Sequence, residues 1–226
     1  MNQRPRIFLL AVATVIVLAF ALAVLLDQPA PRSAAGTSSA GTGASVAENA
    51  RSSSGFDGAL LPPTEAGNFT LTDQLGRRVS LSQYRGRVTI LTFLSSTCHP
   101  TCPLIAQQIR GALDELGEAG GHTVPVLIVS ADPAADTPAD VRRFLSEASL
   151  NGRVEYLTGT RAELQPIWRA YDIVPAQLGN ANSPHAASVL LIDRAGQKRD
   201  LFQVEQLTPE ALAHDIRKLD GDPTHP

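Results

Sequence analysis

The sequence predicts an α/β protein built around a layered sheet whose last strands run antiparallel. Short apolar strands alternate with amphipathic helical stretches between Val88 and Tyr171, the signature of helices laid on a largely parallel sheet. Hairpin patterns bracket that alternation on both sides. The chain has 226 residues. With an apolar N-terminal run and a polar low-complexity segment set aside, about 160 remain, the size of one compact domain.

Residues 1–6 carry Arg4 and Arg6, and residues 7–26 form a charge-free apolar run of 20 residues closed by Asp27. A bilayer core is crossed by about 20 apolar residues in a helix. The flanking arginines place the N-terminus in the cytoplasm and all that follows outside it. The competing reading is a cleaved signal peptide, with small-residue sites at Ala19-Phe20-Ala21 and Ala21-Leu22-Ala23. Neither cysteine lies near the run, so a lipidated N-terminus is not expected. Residues 27–63 are rich in Ala, Ser, Gly and Pro and read as a flexible tether. The domain is expected over 64–220, followed by a tail at 221–226. The net charge of −3 and the absence of a basic stripe argue against nucleic acid as a partner.

Phe69 to Asp73 alternates, Gln74 to Arg77 turns, and Val79 and Leu81 resume the alternation, which makes a hairpin. Val88 to Leu94 is the continuous apolar strand of a sheet covered on both faces. Leu104, Ile105, Ile109, Leu113 and Leu116 fit one helical face, ended by Gly117 and Gly120-Gly121. Val124 to Val129 is a second central strand. Thr137-Pro138 starts a helix with Val141, Phe144 and Leu145 inward, so Asp132 and Asp136 read as strand end and helix start. Val154 to Leu157 is a short strand. Thr160 to Glu163 is a capping box opening a helix whose Trp168 and Tyr171 pack the core. Ala187 to Ile192 pairs with Leu201 to Val204 across the Asp193–Gly196 turn, and Thr208-Pro209-Glu210 caps a last helix to about Leu219.

Cys98 and Cys102 are the only two cysteines, and they follow the first central strand at the mouth of a helix, where such sheets bind ligands. Free N–H groups there favour anions, thiolates included. Pro103 fits the first helical position. Two neighbouring thiols support either soft-metal binding or thiol–disulfide exchange, and the sequence leaves both a reversible disulfide and a shared chelate open. A third donor is expected from the five histidines. His122, His214 and His225 read as solvated, and His99 is too close to Cys98 for a second metal bond. His185 stands just before a central strand, in a loop that this strand order brings beside the cysteines. Two sulfurs and one imidazole suit Cu(I), or Cu(II) with added weak ligands. Zinc prefers four closed ligands, and no fourth strong donor is evident.

These residues resemble the Sco/SenC family over about residues 65 to 205. The resemblance is carried by Phe69-Thr70-Leu71-Thr72-Asp73 with Gly76, Tyr84-Arg85-Gly86-Arg87, Thr97-Cys98-His99-Pro100-Thr101-Cys102-Pro103, Val129 to Pro133 with Asp136-Thr137-Pro138, Leu157-Thr158-Gly159-Thr160, Ala170-Tyr171, and His185 before Leu191-Ile192-Asp193. It implies a thioredoxin-like fold with a central mixed sheet and an N-terminal hairpin, preceded by one transmembrane helix. It also implies copper, as Cu(I) or Cu(II), held by Cys98, Cys102 and His185. The implied activity is assembly of the copper centre of cytochrome c oxidase. The chain departs from the family's usual pattern at His99-Pro100-Thr101, where Pro-Asp is common between the cysteines. It departs again at Pro184-His185-Ala186, where Asp-His-Ser is common.

The expected function is therefore a copper metallochaperone on the outer side of a bacterial cytoplasmic membrane. Its implied partners are the oxidase's copper-bearing subunit, other periplasmic copper carriers or thiol reductases, and the bilayer itself. The alternative is a thiol–disulfide reductase, catalytic through Cys98 and Cys102, that keeps a client's copper-binding cysteines reduced.

Overall fold

The computed structural model describes residues 55–118, 124–177 and 187–221. The run at 7–26 lies outside these residues, and among the described ones no helix is long and apolar enough to cross a membrane.

The elements, in chain order, are β1 (Ala59–Glu65), β2 (Thr70–Thr72), β3 (Arg78–Ser80), β4 (Thr89–Leu94), α1 (Thr101–Glu118), β5 (Val126–Ser130), α2 (Pro138–Glu147), β6 (Glu155–Leu157), α3 (Arg161–Ala170), β7 (Ser188–Ile192), β8 (Gln197–Gln203) and α4 (Pro209–Asp220). Six strands form one mixed sheet in the order β1-β8-β7-β4-β5-β6, and β2 and β3 pair by themselves as the expected hairpin. β4 runs parallel to β5, and β5 to β6, whereas β7, β8 and β1 are joined by antiparallel pairings. Every residue of β4 and β5 is buried, as expected of strands covered on both faces.

The helix starts follow local chemistry. The Thr137 and Thr160 hydroxyls accept hydrogen bonds from Asp140 N (3.2 Å) and Glu163 N (3.3 Å), and the Glu163 side chain returns to Thr160 N at 2.8 Å, completing the capping box. Gly111 lets α1 and α4 approach closely, since a Cβ there would sit 2.7 Å from Pro209 Cγ.

Several details differ from the sequence expectations. β1 begins inside the segment read as tether. Its Pro62 and Pro63 argue against a strand, but they sit on the sheet edge, between Leu60 and Thr64 where the pairing with β8 shifts register, and an edge strand tolerates a missing N–H. β8 starts at Gln197 rather than Leu201, because β1 and β7 pair its polar first half from both sides. Leu104 is 43 % exposed and lies off the α1 core face, which is completed by Cys102, Ala106 and Ala112. α1 also begins earlier than expected, so Pro103 is its third residue and not its first. The first turn of a helix leaves its N–H groups without intrahelical acceptors, so a proline costs little there.

β8 carries an unusual burden. Asp200 is fully buried, and neither of its carboxyl oxygens accepts a hydrogen bond of good geometry. Desolvation, and then the Asp215 carboxylate against it, push the Asp200 carboxyl up to about 8. The folded chain therefore holds this proton well above the unfolded value of about 4. The stabilisation is complete below that value and is lost as pH rises toward 8. Asp200→Asn removes the titration while keeping the shape. Urea denaturation across this range should show the variant gaining on wild type as pH rises; a difference independent of pH would contradict the assignment.

Candidate metal and redox site

β4 ends in Ser95-Ser96-Thr97, and Cys98 follows, its N–H donating to the Ser95 carbonyl at 3.2 Å. His99 and Pro100 are exposed, joined by a cis peptide bond. Leu104 N donates to Pro100 O at 3.3 Å, which starts the α1 ladder. Cys102 is thereby set in the first turn of α1, fully buried among the residues of the core. Cys98 is only partly buried. The two sulfurs form a disulfide, with Cα atoms 5.6 Å apart. The structure thus brings together the two cysteines singled out from sequence. It also ranks them, since the partly exposed Cys98 is the sulfur open to solvent and Cys102 is the sheltered one.

Beneath this loop lies a residue whose importance the sequence did not reveal. Asp136 directly precedes Thr137, the cap of α2, yet its carboxylate is buried and turned into the sheet end. One oxygen accepts from Ser96 N and Ser96 Oγ, both at 2.7 Å, and from Ser95 Oγ at 3.3 Å. The other accepts from Ser130 Oγ at 2.5 Å and Tyr156 OH at 2.9 Å. The ends of β4 and β5, and β6 through Tyr156, are thus tied to one carboxylate next to the cysteine loop. Burial, and then the neighbouring Asp136 charge, hold the Tyr156 hydroxyl well above its ordinary range, so it stays protonated and donating. Trp168 adds a bond from its indole N–H to the Ser130 carbonyl at 3.0 Å. The legible signal was the run of small hydroxyl residues at both strand ends, since buried hydroxyls need partners.

Tyr171 packs against Phe69 and Phe93 and donates to the Gly67 carbonyl at 2.8 Å, as a core-edge residue. Asp132 is exposed and its carbonyl accepts from Asp136 N at 2.9 Å, consistent with a turn. His185 lies outside the described residues, as do His122 and His225. His214 is not simply solvated: its Nδ1 lies 2.8 Å from Asp215 Oδ1 and 3.1 Å from Asp57 Oδ2.

Residues 58–220 match the sequence model of the family described as SCO1/SenC. The protein sco1 of Schizosaccharomyces pombe is 26 % identical over 161 residues, 68 % of this chain and 60 % of that protein. Across the first curated relatives the match spans 31 % to 60 % of their own length. Yeast Sco1 with copper bound is similar in structure, with a TM-score of 0.58, 25 % identity, and coverage of 70 % of this chain and 93 % of that one. Bradyrhizobium japonicum ScoI with copper bound has a TM-score of 0.51 at 27 % identity, covering 69 % and 99 %.

Removing the Asp136 carboxylate strands a buried backbone N–H and two buried hydroxyls, at about 1–3 kcal/mol each if no water replaces it. Asp136→Ala should therefore lose on the order of 3 kcal/mol in urea unfolding, and amide exchange at Ser96 should accelerate. An unchanged Ser96 exchange rate would show that the carboxylate does not anchor the loop.

Proposed function

The chain belongs to the SCO1/SenC family, and from that premise we propose that it is a copper metallochaperone whose cargo is held by Cys98, Cys102 and His185 and delivered for assembly of the copper centre of cytochrome c oxidase. The observation that carries this reading is the cysteine pair itself: two sulfurs within bonding distance at the mouth of α1, in a family with copper-bound relatives. Two thiolates and an imidazole form a soft, three-donor set suited to Cu(I). Support for His185 as the third donor comes from the sheet. β7 opens with Ser188, whose carbonyl accepts the Thr92 hydroxyl of β4 at 2.7 Å. β7, whose first residue follows His185 by three positions, thus lies beside the strand that leads to Cys98.

Loading is redox-gated in this scheme. A disulfide offers no thiolate, so a partner dithiol must first reduce the Cys98–Cys102 bond to two thiols by thiol–disulfide exchange, leaving with its own two sulfurs joined as a disulfide. Copper then displaces the thiol protons as it binds. Transfer to the client proceeds by exchange of sulfur ligands, and the partly exposed Cys98 is the natural first point of contact. The apolar run at 7–26 is assigned as the anchor and residues 27 to the start of β1 as the tether, which keep the donor close to a membrane-bound acceptor.

A second reading is favoured by a specific feature. The disulfide pairs a reachable sulfur with a buried one, the asymmetry a thiol–disulfide reductase needs to attack a client and then resolve the mixed disulfide. One measurement separates the two. In an anaerobic Cu(I) titration of the reduced full-length chain in detergent, the chaperone should take up one tightly held copper. His185→Ala should weaken it by about 100-fold or more, and Cys98→Ser should do at least as much. If His185→Ala binds copper like wild type while reduction of a client disulfide persists, the reductase reading stands instead.

A further inference from the structure

α4 carries a second group of donors, none of them part of the cysteine loop. The Asp215 carboxylate is fully buried and accepts the backbone N–H groups of Asp57 (2.9 and 3.1 Å) and Gly58 (2.9 Å), which pins the residues before β1 onto the helix. His214 Nδ1 lies 2.8 Å from Asp215 Oδ1 and 3.1 Å from Asp57 Oδ2. One donor atom from each of the three residues lies within 4.8 Å of the others. The side chains of His214 and Asp57 are 53 % and 52 % exposed, so the group opens to solvent on one side.

An independent feature sits behind it. The buried Asp200 carboxyl, whose oxygens accept no hydrogen bond of good geometry, faces the Asp215 carboxylate. It also lies against Gly58, where an added Cβ would stand 2.4 Å from Oδ1. Two carboxylates and one imidazole therefore share the group, and the Asp200 carboxyl stands behind Asp215. Lys218, a turn further along α4, places its ammonium 4.4 Å from the centre of the Phe56 ring and rims the same region.

We propose that Asp57, His214 and Asp215 form a binding site for a divalent transition-metal ion of the zinc class, with the buried Asp200 carboxyl behind it. The donors are nitrogen and oxygen with no sulfur, which suits zinc and its divalent neighbours rather than Cu(I). His214 Nδ1 stands 3.1 and 2.8 Å from the two carboxylates, so small shifts of the two half-exposed side chains would open the set to the roughly 3.3–3.6 Å between ligands of a tetrahedral ion bonded at about 2.0–2.2 Å. Three protein ligands with an open side leave a position for water. The bound ion would join the segment entering β1 to α4, at the point where the tether is assigned to meet the domain.

The test is a zinc titration of the full-length chain in detergent, with Cys98 and Cys102 kept as the disulfide so that thiolates do not compete. Calorimetry should show one saturable zinc, weakened about tenfold or more by His214→Ala and by Asp57→Ala, and unchanged in the Cys98→Ser, Cys102→Ser double variant. Both altered side chains are half exposed, and circular dichroism checks that the variants fold. A zinc X-ray absorption spectrum of the wild-type chain needs no variant. It should show a nitrogen and oxygen shell near about 2.0–2.1 Å with a single imidazole. No saturable zinc, equal binding in His214→Ala, or a shell with sulfur or several imidazoles would overturn the site. Failure of the Cu(I) titration leaves this result untouched, since neither cysteine takes part.

Discussion

A single buried carboxylate organises the end of the sheet where the cysteines stand. Asp136 collects hydrogen bonds from Ser95, Ser96, Ser130 and Tyr156, which lie just past β4, at the end of β5 and within β6. Buried polar groups are costly unless paired, so each donor fixes the others: displacing any one orphans the carboxylate or a hydroxyl. The cysteine loop departs from that fixed point, with Ser96 held from below and α1 beginning at Thr101. The spacing of the two sulfurs is thus set by a rigid strand end on one side and a helix start on the other.

The two cysteines consequently have different surroundings although only three residues part them. Cys102 projects into the core from the first turn of α1, while Cys98 stays in the loop at the surface. This asymmetry serves both proposed chemistries, because a cargo ion and a client sulfur must each be met from outside and retained from within. The antiparallel pairing of β7 with β4 matters for the same reason. It returns the chain, after α3, to the side of the strand that leads into the cysteine loop.

Asp136 and Asp200 show two outcomes for a carboxyl group removed from water. The first is satisfied by neutral donors and stiffens its neighbourhood. The second accepts no hydrogen bond of good geometry and faces another carboxylate, so it requires a proton or a cation. The same residue type therefore acts as a charged anchor at one end of the fold and as a proton-holding carboxyl beside α4.

Local patterns were legible because local physics produces them. The capping threonines Thr137 and Thr160, the buried runs of β4 and β5 and the β2–β3 hairpin each follow from side-chain chemistry within a few residues. So did the cysteine pair, which needs only proximity along the chain. What escaped were features decided by distant neighbours. β1 carries two prolines and exposed residues, and it is a strand only because β8 offers it an edge. The polar first half of β8 is a strand because partners flank it on both sides. The roles of Asp136, Asp200 and His214 depend on groups 20 or more residues away in most cases: Asp136 meets Ser96 and Tyr156, and His214 meets Asp57. The sequence by itself determined the α/β alternation, the helix starts and the two sulfurs, since short-range sterics and hydrogen bonding suffice for these. Only the tertiary structure decided which sulfur is sheltered, which carboxylate anchors the loop and which carboxyls are forced together, because burial and long-range contact do not exist until the sheet has closed.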